Sequence, residues 1–148
     1  MSGINMGRVL LGGVVAGLVI NVGEYVLNMM VLKTELEAAT ARMNLPPVDG
    51  SAIGTFVTLA FVLGITTMWL YASIRPRFGA GPRTAACAGA TAWFLAYAYP
   101  SASMYAMGMF DASTIAIALV WGLVEVVLAA VAGASLYQEQ GTAAAARV

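Results

Sequence analysis

The stretch LLGGVVAGLVINVGEYVLN, residues 10–28, decides the fold class of this chain. It is apolar over about the 20 residues that a helix needs to cross the hydrocarbon core of a bilayer. Yet it contains a carboxylate, Glu24, with the amides Asn21 and Asn28 on either side. Unpaired polar groups are costly in lipid, so a membrane helix that carries them must place them against protein or water.

The composition of the whole chain also indicates a membrane protein. Of its 148 residues, 61% are hydrophobic and 9% are charged, whereas about a quarter of the residues of a soluble domain are charged. Seven basic and seven acidic residues give a formal net charge of zero, and no charged arm indicates a nucleic-acid partner. One cysteine and no histidine exclude an intramolecular disulfide and histidine-ligated haem, and nothing indicates a metal site or a cofactor.

Four apolar segments predict four membrane-spanning helices. They cover residues of about 8–32, 51–74, 83–109 and 112–137, separated by an extracytoplasmic loop 33–50 and a cytoplasmic loop 75–82, and followed by a tail 138–148. Runs this long and this apolar form helices, because every backbone group must find its partner inside the segment. The predicted fold is an all-α polytopic membrane protein, a four-helix transmembrane bundle that forms a single domain over residues 1–148.

The basic residues orient the predicted bundle. Arg8 precedes the first helix, and Arg75, Arg77 and Arg83 surround the second loop. Cytoplasmic loops of membrane proteins carry an excess of Lys and Arg. We therefore expect both termini and the second loop to be cytoplasmic.

Two connections carry local signals of their own. In the loop 33–50, Leu36, Ala39 and Met43 recur at helical spacing before two consecutive prolines. This segment is expected to prolong the first helix or to lie at the membrane interface until the prolines end it. Before the fourth helix, either Asp111 or Ser113 is available as the N-cap.

Polar and small residues of the first predicted helix share one face. Gly13, Gly17, Asn21, Glu24 and Asn28 follow each other at spacings of three or four, which places them along one stripe. The two glycines allow another backbone to approach closely. The stripe predicts either a seam whose polar groups bond to neighbouring helices or a proton or ligand site.

The fourth predicted helix carries a second acid, Glu125. Trp121 lies one turn before it, and Ala129 and Gly133 follow on the same face as a packing stripe. A helical rise of about 1.5 Å per residue places Glu24 and Glu125 at similar depth, so the two acids are able to meet. No Lys, Arg or His lies within a helix to neutralise them. At least one is therefore expected to carry a proton at neutral pH.

The second and third predicted helices also offer polar groups near this depth. Pro100 removes one backbone hydrogen bond and is expected to kink the third helix. Beside it, Tyr97 and Tyr99 either line a polar cavity or belong to an outer aromatic belt. On the second helix, Thr66 and Thr67 lie near the level of Glu125. All four helices can therefore contribute to one polar site.

Three blocks of sequence carry a resemblance to a known group. They are the N-x-x-E-x-x-x-N pattern at Asn21 to Asn28, the RPRFGAGPRT turn and the WGLVE block that ends at Glu125. Together they resemble a family of small, uncharacterised bacterial integral membrane proteins with four helices. The resemblance implies a location in the bacterial inner membrane and implies no particular activity.

No pattern in the chain indicates an enzyme, since the G-x-S-x-G, H-E-x-x-H and P-loop motifs are absent. The leading expectation is a non-catalytic accessory or scaffold subunit. It would contact membrane lipids and pack against itself, as a homo-oligomer, or against a larger membrane complex. One alternative is a small proton- or cation-coupled carrier or channel that uses Glu24 and Glu125. Another is a lipid- or pigment-binding membrane protein.

Overall fold

The fold, seen in a computed structural model that describes residues 3–139, contains only helices among its regular elements. The α-helices are α1 (Met6–Val26), α2 (Lys33–Arg42), α3 (Gly50–Phe78), α4 (Pro82–Trp93), α5 (Tyr99–Ala106) and α6 (Ala112–Ala134). A first π-helical segment, Leu27–Val31, follows α1, and a second, Phe94–Ala98, joins α4 to α5. The all-α class predicted from the sequence is therefore confirmed for the described residues.

Three helices of the described residues are long and apolar enough to cross a membrane. They are Met6–Val31, Gly50–Phe78 and Ala112–Ala134. The helical run 82–106, which covers most of the predicted third span, is not among them. Its tyrosines, its serines and Pro100 make it less apolar than the others. The chain is thus membrane-compatible through three helices, with a fourth, more polar helical run beside them.

The bounds of several helices differ from the predicted ones. The helix α3 continues past the predicted end at Ile74, through Pro76, and stops at Gly79, whose φ of 85° favours glycine. The N–H of Gly79 donates to the carbonyl of Arg75. A proline in the last turn removes one hydrogen bond, but its φ still fits a helix. Most of the predicted loop 75–82 is consequently helical.

The predicted loop 33–50 contains the helix α2. Its end lies against the connection that precedes α6, because Arg42 Nη2 donates to the carbonyl of Met109. Asp111 is the N-cap of α6 and accepts the N–H of Thr114 at 2.8 Å. The predicted fourth helix extends to 137, whereas α6 ends at Ala134. Residues 140–148 of the predicted tail lie outside the described residues.

Glycine allows α1 and α3 to touch backbone to backbone. A Cβ atom on Gly64 would lie 2.5 Å from the carbonyl oxygen of Gly13 and 2.8 Å from Cα of Gly17. Real Cβ atoms do not approach backbone that closely, so any larger residue at Gly64 would force the helices apart. The row Gly13, Gly17 on α1 thus faces α3.

The helix α6 packs against α1 and α4 through equally small residues. A Cβ on Gly12 would lie 2.7 Å from the carbonyl oxygen of Gly133. Ala129 is fully buried, and Gly89 of α4 approaches the Cβ of Ala130. The four residues predicted to pack, Gly13, Gly17, Ala129 and Gly133, are all buried within the chain. These contacts form inside one molecule.

One end of the bundle, here called the basic end, is closed by the contacts of Arg8, Arg75 and Tyr137. Arg8 Nη1 donates to the carbonyl of Leu136 at 3.3 Å. The guanidinium of Arg75 lies 5.4 Å from the ring centre of Tyr137 and pairs with Glu139 at 3.0 Å. The beginning of α1, the end of α3 and the segment after α6 therefore meet at this end.

We expect Gly64→Ala to destabilise the fold by about 1–3 kcal/mol, the usual cost of overpacking a tight interior. Thermal or denaturant unfolding in detergent measures this change. Gly54→Ala on the same helix is the matched control, because a Cβ there meets nothing within 4 Å. It should be neutral or stabilising by up to about 1 kcal/mol. Equal stability of the two variants would contradict the backbone contact.

The cap of α6 predicts a loss of stability in acid. The backbone N–H of Thr114, then the hydroxyls of Ser113 and Thr114, donate to Asp111 and lower its pKa to about 2. A depressed folded-state pKa stabilises the fold above the unfolded value of about 3.9, and the gain disappears as the pH falls towards about 2. Asp111→Asn keeps a capping side chain without the charge. Its unfolding midpoint should therefore fall less than that of the wild type across this acid range.

Candidate functional site

Glu24 and Glu125 meet at one tyrosine hydroxyl. The Oη atom of Tyr97 donates to Oε1 of Glu24 at 2.7 Å and lies 3.4 Å from Oε1 of Glu125. Glu24 comes from α1, Tyr97 from the second π-helical segment and Glu125 from α6. Three separate helical segments are thus joined through three side-chain oxygens.

An amide and an indole complete the group. Asn28 Nδ2 donates to Oε2 of Glu24 at 2.7 Å, and Trp121 Nε1 donates to Oε2 of Glu125 at 3.0 Å. Both oxygens of Glu24 therefore accept a hydrogen bond. One oxygen of Glu125 accepts a hydrogen bond from Trp121, and the other lies near the hydroxyl of Tyr97. We call Glu24, Asn28, Tyr97, Trp121 and Glu125 the carboxyl cluster.

The two acids of the carboxyl cluster have different surroundings. Glu125 is 6% exposed, whereas Glu24 is half-buried. Glu24 accepts two short bonds, from Tyr97 and Asn28, and bonds to a charged acceptor are the stronger kind. Glu125 accepts one bond at ordinary length. Glu24 therefore has the shorter hydrogen bonds, and Glu125 is the more deeply buried of the two acids.

A single added proton makes the hydrogen-bond chain complete. The hydroxyl of Tyr97 has one hydrogen, which it directs to Glu24. An ionised Glu125 would then face a lone pair of the same hydroxyl at 3.4 Å. A protonated Glu125 can instead donate to Tyr97, so that both contacts become hydrogen bonds. The arrangement is able to hold one proton between two carboxylates.

Two glycines leave the space that the carboxyl cluster occupies. A Cβ on Gly23 would collide with the carboxyl group of Glu125, and one on Gly122 would lie 2.8 Å from Cδ1 of Tyr97. Neither glycine was expected from the sequence to belong to the site. The available signal was their position, since Gly23 directly precedes Glu24 and Gly122 lies three residues before Glu125.

Both π-helical segments carry a member of the carboxyl cluster. Asn28 lies in the first, where the N–H of Leu32 donates five residues back to Leu27. Tyr97 lies in the second, where the N–H of Tyr99 donates to the carbonyl of Phe94. Such wide turns are uncommon and often occur at functional sites. The second lies directly before Pro100, which interrupts normal helix bonding.

Four other residues predicted for the site lie elsewhere or take a different part. Asn21 donates to the carbonyl of Gly17 at 2.8 Å and faces Val57 of α3. Tyr99 is 68% exposed, and Pro100 lies beyond the second π-helical segment. Thr66 is exposed, whereas its neighbour Thr67 is buried and donates to Leu63. Thr66 therefore faces away from the interior, because one residue turns a helix by about 100°.

An open cavity among the described residues lies away from the carboxyl cluster. It has a volume of about 340 Å³ and lies between α2 and the start of α6, beside Arg42 and Asp111. Among the described residues, no group of three or more His, Cys, Asp or Glu side chains is placed to hold a metal ion. The carboxyl cluster itself is joined by hydrogen bonds.

Tyr97→Phe is expected to destabilise the folded protein by about 0.6–1.7 kcal/mol, the range measured for hydrogen bonds between membrane helices. Equilibrium unfolding in mixed micelles measures the change. Tyr99→Phe is the matched control and should have no effect, since that ring is exposed. Combining Tyr97→Phe with Glu24→Gln should cost less than the sum of the single changes. Equal effects of the two tyrosine changes would contradict the site.

No protein-family model, curated protein or solved structure matches this chain. The function must therefore be argued from the geometry of the site and of the surface.

Proposed function

We propose that the chain is a bacterial inner-membrane protein with four spans, in which both termini are cytoplasmic, and that it serves as a non-catalytic accessory or scaffold subunit. The helical run 82–106 is long enough for the fourth span. Arg8 and Arg75 share the basic end, which supports a cytoplasmic position for that end.

The observation that carries this proposal is the poor coverage of α3. Of the residues in the most apolar stretch of α3, only 17% are buried. The same share is 33% for the span that contains α1 and 28% for α6. In its first part, every residue from Gly50 to Leu59 except Ala52 is exposed. A helix left this bare within its own bundle has a large surface for another protein.

The bare part of α3 also has the chemistry of a helix–helix interface. Ser51, Thr55 and Thr58 recur at helical spacing with Gly54 between them, and all four are exposed. Large apolar residues are exposed on the same part of α3, as at Phe56, and on α1 and α6, as at Leu18 and Leu128. Small and hydroxyl-bearing residues are enriched where membrane helices pack together. We infer that α3 packs against a second copy or a larger membrane protein.

The tight interior favours a subunit over a carrier. Near the basic end, α1 touches α3 at Gly64 and α6 at Gly133 with no room for an added methyl group. A substrate would have to separate these backbones to pass. The second candidate is nevertheless a proton- or cation-coupled carrier, because the chain from Glu24 through Tyr97 to Glu125 is suited to hold a proton.

A photo-reactive amino acid at Thr58 should form a discrete protein adduct in native membranes. The reason is that Thr58 lies on the bare face of α3. The matched control is the same probe at Val120 of α6, which is 67% exposed but lies among large apolar neighbours. It should capture lipid and no discrete protein. Gel electrophoresis and mass spectrometry distinguish a dimer from a complex with another protein.

Two results would contradict the subunit and favour the carrier. The first is the absence of a protein adduct at Thr58. The second is proton-coupled flux in liposomes by the purified wild type that Glu24→Gln abolishes while the variant remains folded. A subunit instead predicts no flux from either protein.

A further inference from the structure

The helices α1 and α6 are held together at two levels. Near the basic end, Arg8 bonds to the carbonyl of Leu136, and Gly12 lies against Gly133. Further along both helices, the described side-chain hydrogen bonds that link them pass through Tyr97, from Glu24 to Glu125. The first level consists of the Gly12–Gly133 backbone contact and the hydrogen bond from Arg8, and it contains no carboxyl group. The second depends on protons.

The second level lies where α3 and α5 cover the bundle poorly. Beyond the carboxyl cluster, α5 has no buried residue, and α3 is exposed from Gly50 to Leu59 except at Ala52. These two helices would therefore add little resistance to a separation of α1 from α6 at this level, where the buried side chains of Ile20 and Val126 also lie. The close packing at Gly12 and Gly133 would act as the fixed end of such a motion.

We propose that Glu24, Tyr97 and Glu125 form a protonation-controlled latch between α1 and α6. With one proton shared among them, the oxygens form a continuous hydrogen-bond chain and the latch is closed. When that proton leaves, two carboxylates and a tyrosine lone pair face each other and the latch opens. The latch is independent of which protein covers α3.

The ionisable groups of the carboxyl cluster come from three helical segments. The helix α1 contributes Glu24, the second π-helical segment Tyr97, and α6 Glu125. The helix α3 carries no ionisable side chain between Gly50 and Leu70, and no Lys, Arg or His lies within 9–32 or 84–134. The other ionisable side chains of these segments point outwards or lie at a helix end, namely Tyr25, Cys87, Tyr99, Tyr105 and Asp111.

Because no cation faces the cluster, the repulsion in the deprotonated state has nothing to offset it. Two like charges that are partly withdrawn from water interact much more strongly than they would in water. Opening would expose both carboxyl groups to water, which relieves the repulsion. Acid therefore closes the latch, and alkali opens it.

Pulsed electron–electron double resonance, which measures the distance between two spin labels, tests this proposal on the full chain in lipid nanodiscs. Cys87 is first replaced by Ser, since it is free and exposed. Spin labels are then placed at Val22 and Val124, which are 58% and 55% exposed and lie beside the acids on α1 and α6. Raising the pH from about 5 to about 9, a range that brackets carboxyl groups in apolar sites, should lengthen their distance by several ångströms.

A second label pair serves as the internal control. Leu11 and Ser135 are exposed positions on α1 and beside the end of α6, next to the Gly12–Gly133 contact. Their distance should stay constant over the same pH range. An equal lengthening at both pairs would indicate general loosening and would overturn the latch.

Glu125→Gln keeps the shape of the side chain but removes its ability to ionise. Its amide is neutral at every pH used and can still donate to Tyr97, so the Val22–Val124 distance should stay short and constant. Glu24→Gln should behave in the same way and replaces it if Glu125→Gln fails to fold. A constant wild-type distance, or a pH response that persists in the folded Gln variants, would overturn the proposal.

Discussion

The contact of Gly64 with Gly13 and Gly17 is the constraint on which the rest of the structure depends. Because no side chain separates the two backbones there, α1 and α3 form one unit whose spacing is fixed by main-chain atoms. The neighbouring Gly12 gives α1 a second such contact, with α6. Consequently α1 lies between two partners, and Glu24, further along it, is carried to the level of Glu125. Dispersion forces and close fit, rather than the hydrophobic effect, hold such helices together in lipid.

The sequence predicted the helical class, that the two acids are able to meet and which small residues pack, because these follow from composition and from spacing along single helices. It did less well with the side on which a residue faces. Thr66 and Thr67 differ by one position, yet only Thr67 is buried. Periodicity defines a face relative to its own helix. The direction of that face in the bundle is set by neighbours that no single segment reveals.

The five residues of the carboxyl cluster were candidates from the sequence, but the bond between Tyr97 and Glu24 was not predicted, for a related reason. Tyr97 reaches Glu24 from a π-helical segment, whereas Asn28 lies at the regular helical spacing of four from Glu24. Such segments alter the face of a helix by inserting a residue into a turn, and residue spacing assumes regular turns. The space that Gly23 leaves for the carboxyl group of Glu125 could not be predicted from the sequence either. A glycine in a membrane helix has several uses, and only the facing helix decides among them.

The length of α3 has a consequence for the membrane itself. At about 1.5 Å per residue, its 29 residues span about 44 Å, whereas the hydrocarbon core is about 30 Å thick. The helix α6, with 23 residues, spans about 35 Å by the same rise. Two helices of unequal length in one small bundle cannot both match the bilayer while standing upright. Either α3 tilts more strongly than α6 or its arginine-bearing end projects into the headgroup layer. Membrane thickness would then select between these two arrangements, and lipids of different chain length would change the angle at which the bare face of α3 meets its neighbour.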